Sequence, residues 1–161
     1  MTTSVSIARS IPLSRDALLP LVRAQIAALE EASEHGTVML STGIPGSGRV
    51  AVAVRVRVSY PPPRTPRFGV TIVARQRQST YPAFRGELTL ASAGSAATVI
   101  TLAGEYDVPL GILGRAFDRT AGRGIAQQGL SDVLDRLVVE VTAEADRSAD
   151  AAYRAGRSET R

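Results

Sequence analysis

The hydrophobic positions of this chain change period three times. Val5, Ile7 and Ile11 alternate partly with small polar residues, predicting a short strand between Val5 and Leu13 that ends at Pro12. Then Ser14 offers an N-cap, Asp16 falls in the first turn, and Leu18, Leu19, Val22, Ile26 and Leu29 recur every three or four residues. That spacing predicts a helix with one apolar stripe, which Pro20 is expected to kink or split and Gly36 to stop.

From Arg49 to Tyr60 the alternation is strict. Val50, Val52, Val54, Val56, Val58 and Tyr60 share one face, and Arg49, Ala51, Ala53, Arg55, Arg57 and Ser59 share the other. Only a strand sorts residues this way. Thr37–Ile44 precedes it as a second strand, joined through the turn-rich Pro45-Gly46-Ser47-Gly48. Three prolines at 61–63 break the ladder. Phe68, Val70, Ile72 and Ala74 resume it, followed by Phe84, Gly86, Leu88 and Leu90, and then by Thr98, Ile100, Leu102, Gly104 and Tyr106. Short connections between these strands predict an antiparallel meander.

An apolar sheet face needs cover, and the C-terminal segment supplies it. Ala126, Leu130, Val133, Leu134, Leu137, Val138 and Val141 keep helical spacing, with Asp132, Asp135, Arg136 and Glu140 opposite. A helix over Ala126–Ala145 is about 30 Å long, enough to cross several strands. Leu113–Thr120 is also compatible with helix, although Gly122, Gly124 and Gly129 weaken the continuation and can bend it. The expected organisation is one domain over residues 1–146 with a charged, flexible tail over 147–161.

With 161 residues, 44% hydrophobic and 21% charged, the composition is that of one globular domain. The absence of cysteine removes disulfides, thiolate metal sites and cysteine nucleophiles. The pI of about 10.3 overstates the field, because the formal excess is only +4 and every basic side chain is arginine. That arginine bias reads as compositional drift. The N-terminus has no signal-peptide pattern and no window is apolar enough to span a membrane, so a cytoplasmic protein is expected.

Few residues suggest chemistry. His35, the single imidazole, sits at a helix end where a cation complements the dipole. No Gly-x-Ser-x-Gly elbow accompanies it, which argues against a hydrolase triad. Gly43–Gly48 lacks the Lys-Ser/Thr pair of a phosphate loop. The carboxylates show no metal-ligand spacing, and Asp132 with Arg136 reads as a helical ion pair. Arg55, Arg57, Arg75, Arg77 and Arg85 fall on the outward sheet face, a solvated surface or a basic patch for RNA or a partner.

The segments Gly86-Glu87-Leu88-Thr89-Leu90, Ala97–Tyr106 and above all Pro109-Leu110-Gly111-Ile112-Leu113-Gly114-Arg115-Ala116-Phe117-Asp118-Arg119 resemble the SRPBCC superfamily of START-like and polyketide cyclase-like proteins. The resemblance implies an α+β helix-grip fold, with a curved antiparallel sheet wrapped around a long C-terminal helix and an apolar cavity between them. Two departures from the family pattern stand out: six strands are counted where the family usually has seven, and Gly122-Arg123-Gly124 interrupts a helical stretch.

The expected ligand-binding residues are Val56, Tyr60, Phe68, Ile72, Phe84, Tyr106, Leu113, Phe117 and Leu134, with Arg115 at the mouth. Tyr60 and Tyr106 are the inward groups with a polar tip. The expected function is binding of a hydrophobic small molecule, lipid or polyketide-like, without cofactor, metal or catalytic residues. A cyclase or aromatase, or an interaction module using the arginine face, are the alternatives. No DNA is expected, RNA is disfavoured, and homodimerisation stays open.

Overall fold

The computed structural model describes residues 2–44, 48–76, 83–107 and 119–158. Their order is β1 (Thr2–Ile11), α1 (Arg15–Glu34), β2 (Met39–Ile44), β3 (Gly48–Ser59), β4 (Arg67–Ala74), β5 (Ala83–Ser92), β6 (Thr98–Asp107) and α2 (Arg119–Ser158). All six strands form one antiparallel sheet in the order β1-β6-β5-β4-β3-β2. Consecutive strands pair from β2 to β6, as a meander requires, and β1 closes the far edge against β6.

Alternation delivers the core. Val54 and Val56, Phe68 and Ile72, Phe84 and Leu88, and Ile100 and Leu102 are all buried on the inner face. One cross-strand row of that face runs Val5, Gly104, Gly86, Val70, Val58. The two glycines face each other, and a Cβ on either would collide with the backbone of the neighbouring strand. Their bareness lets the sheet fold in on itself there and curl into a half-barrel.

Helix α2 lies inside the curl. Leu130, Leu134, Leu137 and Val141 bury its inner stripe, and it packs against α1 and against the two outermost strands, β1 and β2. Arg9 shares the inward row of β1 with Val5, Ile7 and Ile11. Its Nε donates to Asp135 Oδ1 at 2.7 Å, and its Nη2 donates to Asp135 Oδ2 at 3.2 Å and to Ser131 Oγ at 2.7 Å. Fork-shaped donation of this kind fixes orientation more than it adds stability at so exposed a site. Where a tail is expected from residue 147, the backbone stays helical to Ser158, with exposed side chains from Asp146 to Ala155.

Helix α1 is set by an open strand edge. β3 has 12 residues and β2 only 6, so β2 pairs with residues 48–53 and leaves the second half of β3, paired with β4 on its other side, with an open edge where β2 has ended. Val38 O accepts from Val54 N–H at 3.0 Å as the last step of the ladder. Beyond it, side chains of α1 take over. Ser33 Oγ accepts from Val56 N–H at 2.9 Å, and its own proton has Glu30 O at 2.7 Å and Val56 O at 3.2 Å as acceptors. Glu30 Oε1 accepts from Val58 N–H at 2.9 Å.

The contact continues from the middle of the helix to its C-terminal end. Arg23 donates to the carbonyls of Pro61 and Pro62 and lies over the Phe68 ring at 5.3 Å. Arg75 Nη1 donates to Ser33 O at 2.5 Å and Glu34 O at 2.6 Å, satisfying C-terminal carbonyls of the helix. Arg55 pairs with Glu34 at 3.2 Å. The His35 Nδ1–H donates to Glu31 O at 2.9 Å, the helix-end position expected of it.

Two expectations are corrected. Pro20 does not split α1, which is continuous over 20 residues. The proline stands close to the N-terminus and is exposed, so the only bond it forfeits is to Asp16 O, a carbonyl that water can reach. Tyr60 does not point inward. β3 ends at Ser59, the alternation ends with it, and the phenol, 43% exposed, donates to Glu30 Oε2 at 3.0 Å.

Two measurements test these contacts. Ser33 is fully buried, so Ser33→Ala leaves a buried N–H and carbonyl of β3 unpaired and lowers stability by about 1–3 kcal/mol in denaturant unfolding. An unchanged midpoint would show that the edge is capped some other way. The Tyr60 phenol is pushed up to about 12 by desolvation and by its bond to Glu30, and Tyr106 to about 12 by burial. Both therefore bind their protons more tightly in the folded state than at the ordinary value of 10.0. Their contribution is complete below pH 10 and is lost as pH rises towards 12. Tyrosinate absorbance should show both phenols titrating late, and Tyr106→Phe should flatten the alkaline fall in stability.

Candidate functional site

A cavity of about 440 Å³ opens between the two helices and the β2–β4 end of the sheet, within the size range of small-molecule pockets. Its floor is the inner face of β3 and β4, with Val54, Val56 and Ile72, extended by Val38 just before β2. α1 contributes Ala28 and Leu29 to one wall, and α2 contributes Val133 and Leu137 to the other. Met39 and Leu40 of β2 close the end, Met39 being 47% exposed at the mouth.

The position of the cavity follows from how α2 is held. Arg9 draws the Ser131–Asp135 side of the helix onto β1, and the buried leucine stripe seats it on the sheet. The flank carrying Asp132, Val133, Arg136 and Glu140 is turned toward the cavity. Asp132, Arg136 and Glu140 are spaced four apart, so they share one helix face and form a polar rim with Gln25 of α1. The chamber thus has an apolar floor and ionisable groups only at its entrance. A guest with a greasy body and a polar end fits this distribution, the polar end remaining near water.

Of the residues expected to bind ligand, the structure brings Val56 and Ile72 to the cavity. Phe68, Phe84 and Leu134 are packed in the core beside it with 2% or less of their surface exposed. Tyr106 is half-buried near the end of β6, and Tyr60 lies outside against α1. Leu113, Phe117 and Arg115 lie outside the described residues. The lining residues that sequence reasoning missed come from α1, from β2 and Val38 just before it, from Val54 of β3, and from α2. Leu29 and Val133 carried a signal, since both stood in helical apolar stripes, but nothing in the sequence said which stripe residues would be left uncovered. Among the described residues no cluster of His, Asp and Glu has the makings of a metal site. No described helix is long and apolar enough to cross a membrane.

The five-arginine outward patch is reduced by the fold. Arg55 and Arg75 are committed to the C-terminal end of α1, and Arg77 lies outside the described residues. Arg57 and Arg85 remain exposed on the outer face.

No protein-family model matches the sequence, and no curated protein matches it. Solved structures do match the fold. The Thermus thermophilus protein TTHA0849 superposes with a TM-score of 0.58 at 14% identity, covering 88% of this chain and 99% of that one. Ara h 8.0201 gives 0.55 at 11% identity over 89% and 99%. The di-domain aromatase/cyclase StfQ of the steffimycin biosynthetic pathway gives 0.60 at 12% identity, covering 93% of this chain, which spans about half (52%) of StfQ. Identities this low speak to architecture, and on that level the resemblance read in the sequence is borne out: the chain has the helix-grip fold, a curled six-stranded antiparallel sheet closed by a long C-terminal helix.

Proposed function

We propose that this protein binds a hydrophobic small molecule, lipid or polyketide-like, in the cavity between α1, α2 and the β2–β4 end of the sheet. The observation that carries the reading is an open chamber of about 440 Å³ whose floor is apolar and whose polar groups stand at the rim. Burying the apolar part of a guest there is favourable by about 25 cal/mol per Å² removed from water. Gln25, Asp132, Arg136 and Glu140 then meet its polar end.

A second reading, chemistry on a polyketide-like substrate in the same chamber, is favoured by the likeness to StfQ and by the carboxylates of Asp132 and Glu140 at the mouth. Tyr60 does not line this chamber and donates to Glu30 of α1 instead. Conversion of a bound polyketide mimic, lost on Glu140→Gln while binding persists, would favour this reading over simple sequestration.

Binding is tested with the neutral fluorescent probe N-phenyl-1-naphthylamine. Ala28 is an exposed residue of α1 on the cavity wall, so Ala28→Trp obstructs the chamber without disturbing the core. The expected result is one probe per chain, with at least tenfold weaker affinity in Ala28→Trp, a loss of about 1.4 kcal/mol or more, and unchanged affinity in Tyr60→Phe. Equal probe binding by wild type and Ala28→Trp would sink the cavity reading.

A further inference from the structure

We propose that the outer, convex face of the sheet carries an oxyanion site for phosphate and phosphate monoesters, built by Arg57 and Arg85 around Gly69. The register places Arg57 opposite Thr71 and Thr71 opposite Arg85, so the two arginines stand in one cross-strand row on either side of a hydroxyl. Two strand spacings separate them, about 10 Å, a gap that two guanidinia can close by leaning onto one tetrahedral anion. In the next row Ser59 stands opposite Gly69. Because Gly69 has no side chain, the Ser59 hydroxyl can lie over it, where a Cβ would collide with that oxygen, and a recess of about 310 Å³ is lined by Arg57, Ser59, Gly69, Thr71 and Arg85.

The charge arrangement points the same way. Among the described residues neither Arg57 nor Arg85 makes an ion pair, whereas Arg9, Arg55 and Arg147 do. Two carboxylates stand nearby in register, Glu105 opposite Arg85 and Glu87 opposite Gly69, and neither lines the recess. The recess therefore presents two guanidinium forks and two hydroxyls. Guanidinium forks match phosphate oxygens two at a time, and a doubly charged monoester gains more from two of them than a carboxylate or a diester. This site lies on the opposite face of the sheet from the cavity and stands whether or not the cavity holds a ligand.

The test titrates the full-length protein with inorganic phosphate at low ionic strength, read by NMR shifts of the β3–β5 amides, with chloride at matched ionic strength as control. Arg57→Gln and Arg85→Gln are surface changes on a folded sheet, and far-ultraviolet circular dichroism and thermal unfolding verify that the fold is kept. Each is expected to weaken phosphate binding at least fivefold, the double variant to abolish it, and Arg64→Gln, in the turn before β4, to leave it unchanged. Co-sedimentation with phosphatidylcholine vesicles containing phosphatidic acid identifies the source. Pelleting that free phosphate competes away, and that the double variant loses, supports the site with a lipid headgroup as ligand. Phosphate binding without pelleting supports it with a soluble ligand. Phosphate binding that is absent in the wild type, or equal in the wild type and the double variant, overturns the proposal. So does binding to a single-stranded RNA that phosphate does not displace.

Discussion

One helix cannot cover a six-stranded sheet. Six strands at about 4.8 Å spacing present a face about 24 Å across, whereas a helix with its side chains is about 10–12 Å wide. Leaving the remainder in water would expose a row of valines, leucines and phenylalanines. The sheet answers by curling at the Gly86–Gly104 pair, which shortens the face to be covered and brings both outer strands toward α2. Arg9 then biases the helix toward β1. The space left between α2 and the β2–β4 end is roofed by α1 and becomes the cavity. The chamber is a consequence of covering a wide sheet with one helix seated off-centre.

The roof depends on a second constraint, the hydrogen-bonding appetite of an unpaired strand edge. β2 stops early, and the inner half of β3 would otherwise bury unpaired N–H groups or template aggregation. Ser33 and Glu30 act as a substitute strand for Val56 and Val58. Because these bonds have fixed lengths, they also fix where α1 lies, and hence where Gln25, Ala28 and Leu29 meet the chamber. The cavity wall is placed by polar contacts of its own helix, Ser33 one turn on from Leu29 and Glu30 next to it in sequence.

This explains what could be read from the residues and what could not. Alternation from Val54 to Val58 and from Phe68 to Ala74, and the stripe from Leu130 to Val141, are local patterns that burial imposes on any sequence, so strands, helices and layers were legible. The resemblance in the 86–119 segments supplied the architecture. The site was legible only at Val56 and Ile72, since periodicity reports which face a residue occupies and not whether another side chain arrives to cover it. Phe68 and Val56 share the inner face, yet Phe68 is packed in the core and Val56 lines the opening. Tyr60 continued the alternation by one residue, but the strand stops before it, against the prolines at 61–63, and its hydroxyl donates to Glu30 outside the interior. Nothing in the local pattern marks Ser33, whose role depends on a strand 23 residues away.

The arginine bias also acquires a physical content beyond compositional drift. Arg9 spans a carboxylate and a hydroxyl on α2, Arg23 bridges two proline carbonyls while lying over an aromatic ring, and Arg75 gathers two helix-end carbonyls. Each task needs several donors held in a plane at one charge, which a guanidinium supplies and an ammonium does not. Cations committed in this way contribute little to an external field, because their charge is spent on nearby carboxylates and backbone dipoles. The basicity that remains available on the outer sheet is local, concentrated where Arg57 and Arg85 flank Gly69 and the Ser59 hydroxyl that lies over it. A surface of that kind favours a small, highly charged anion over a long polyanion, because a polymer would need a continuous track of free cations, and the fold has already used two of the arginines, Arg55 and Arg75, that such a track would require.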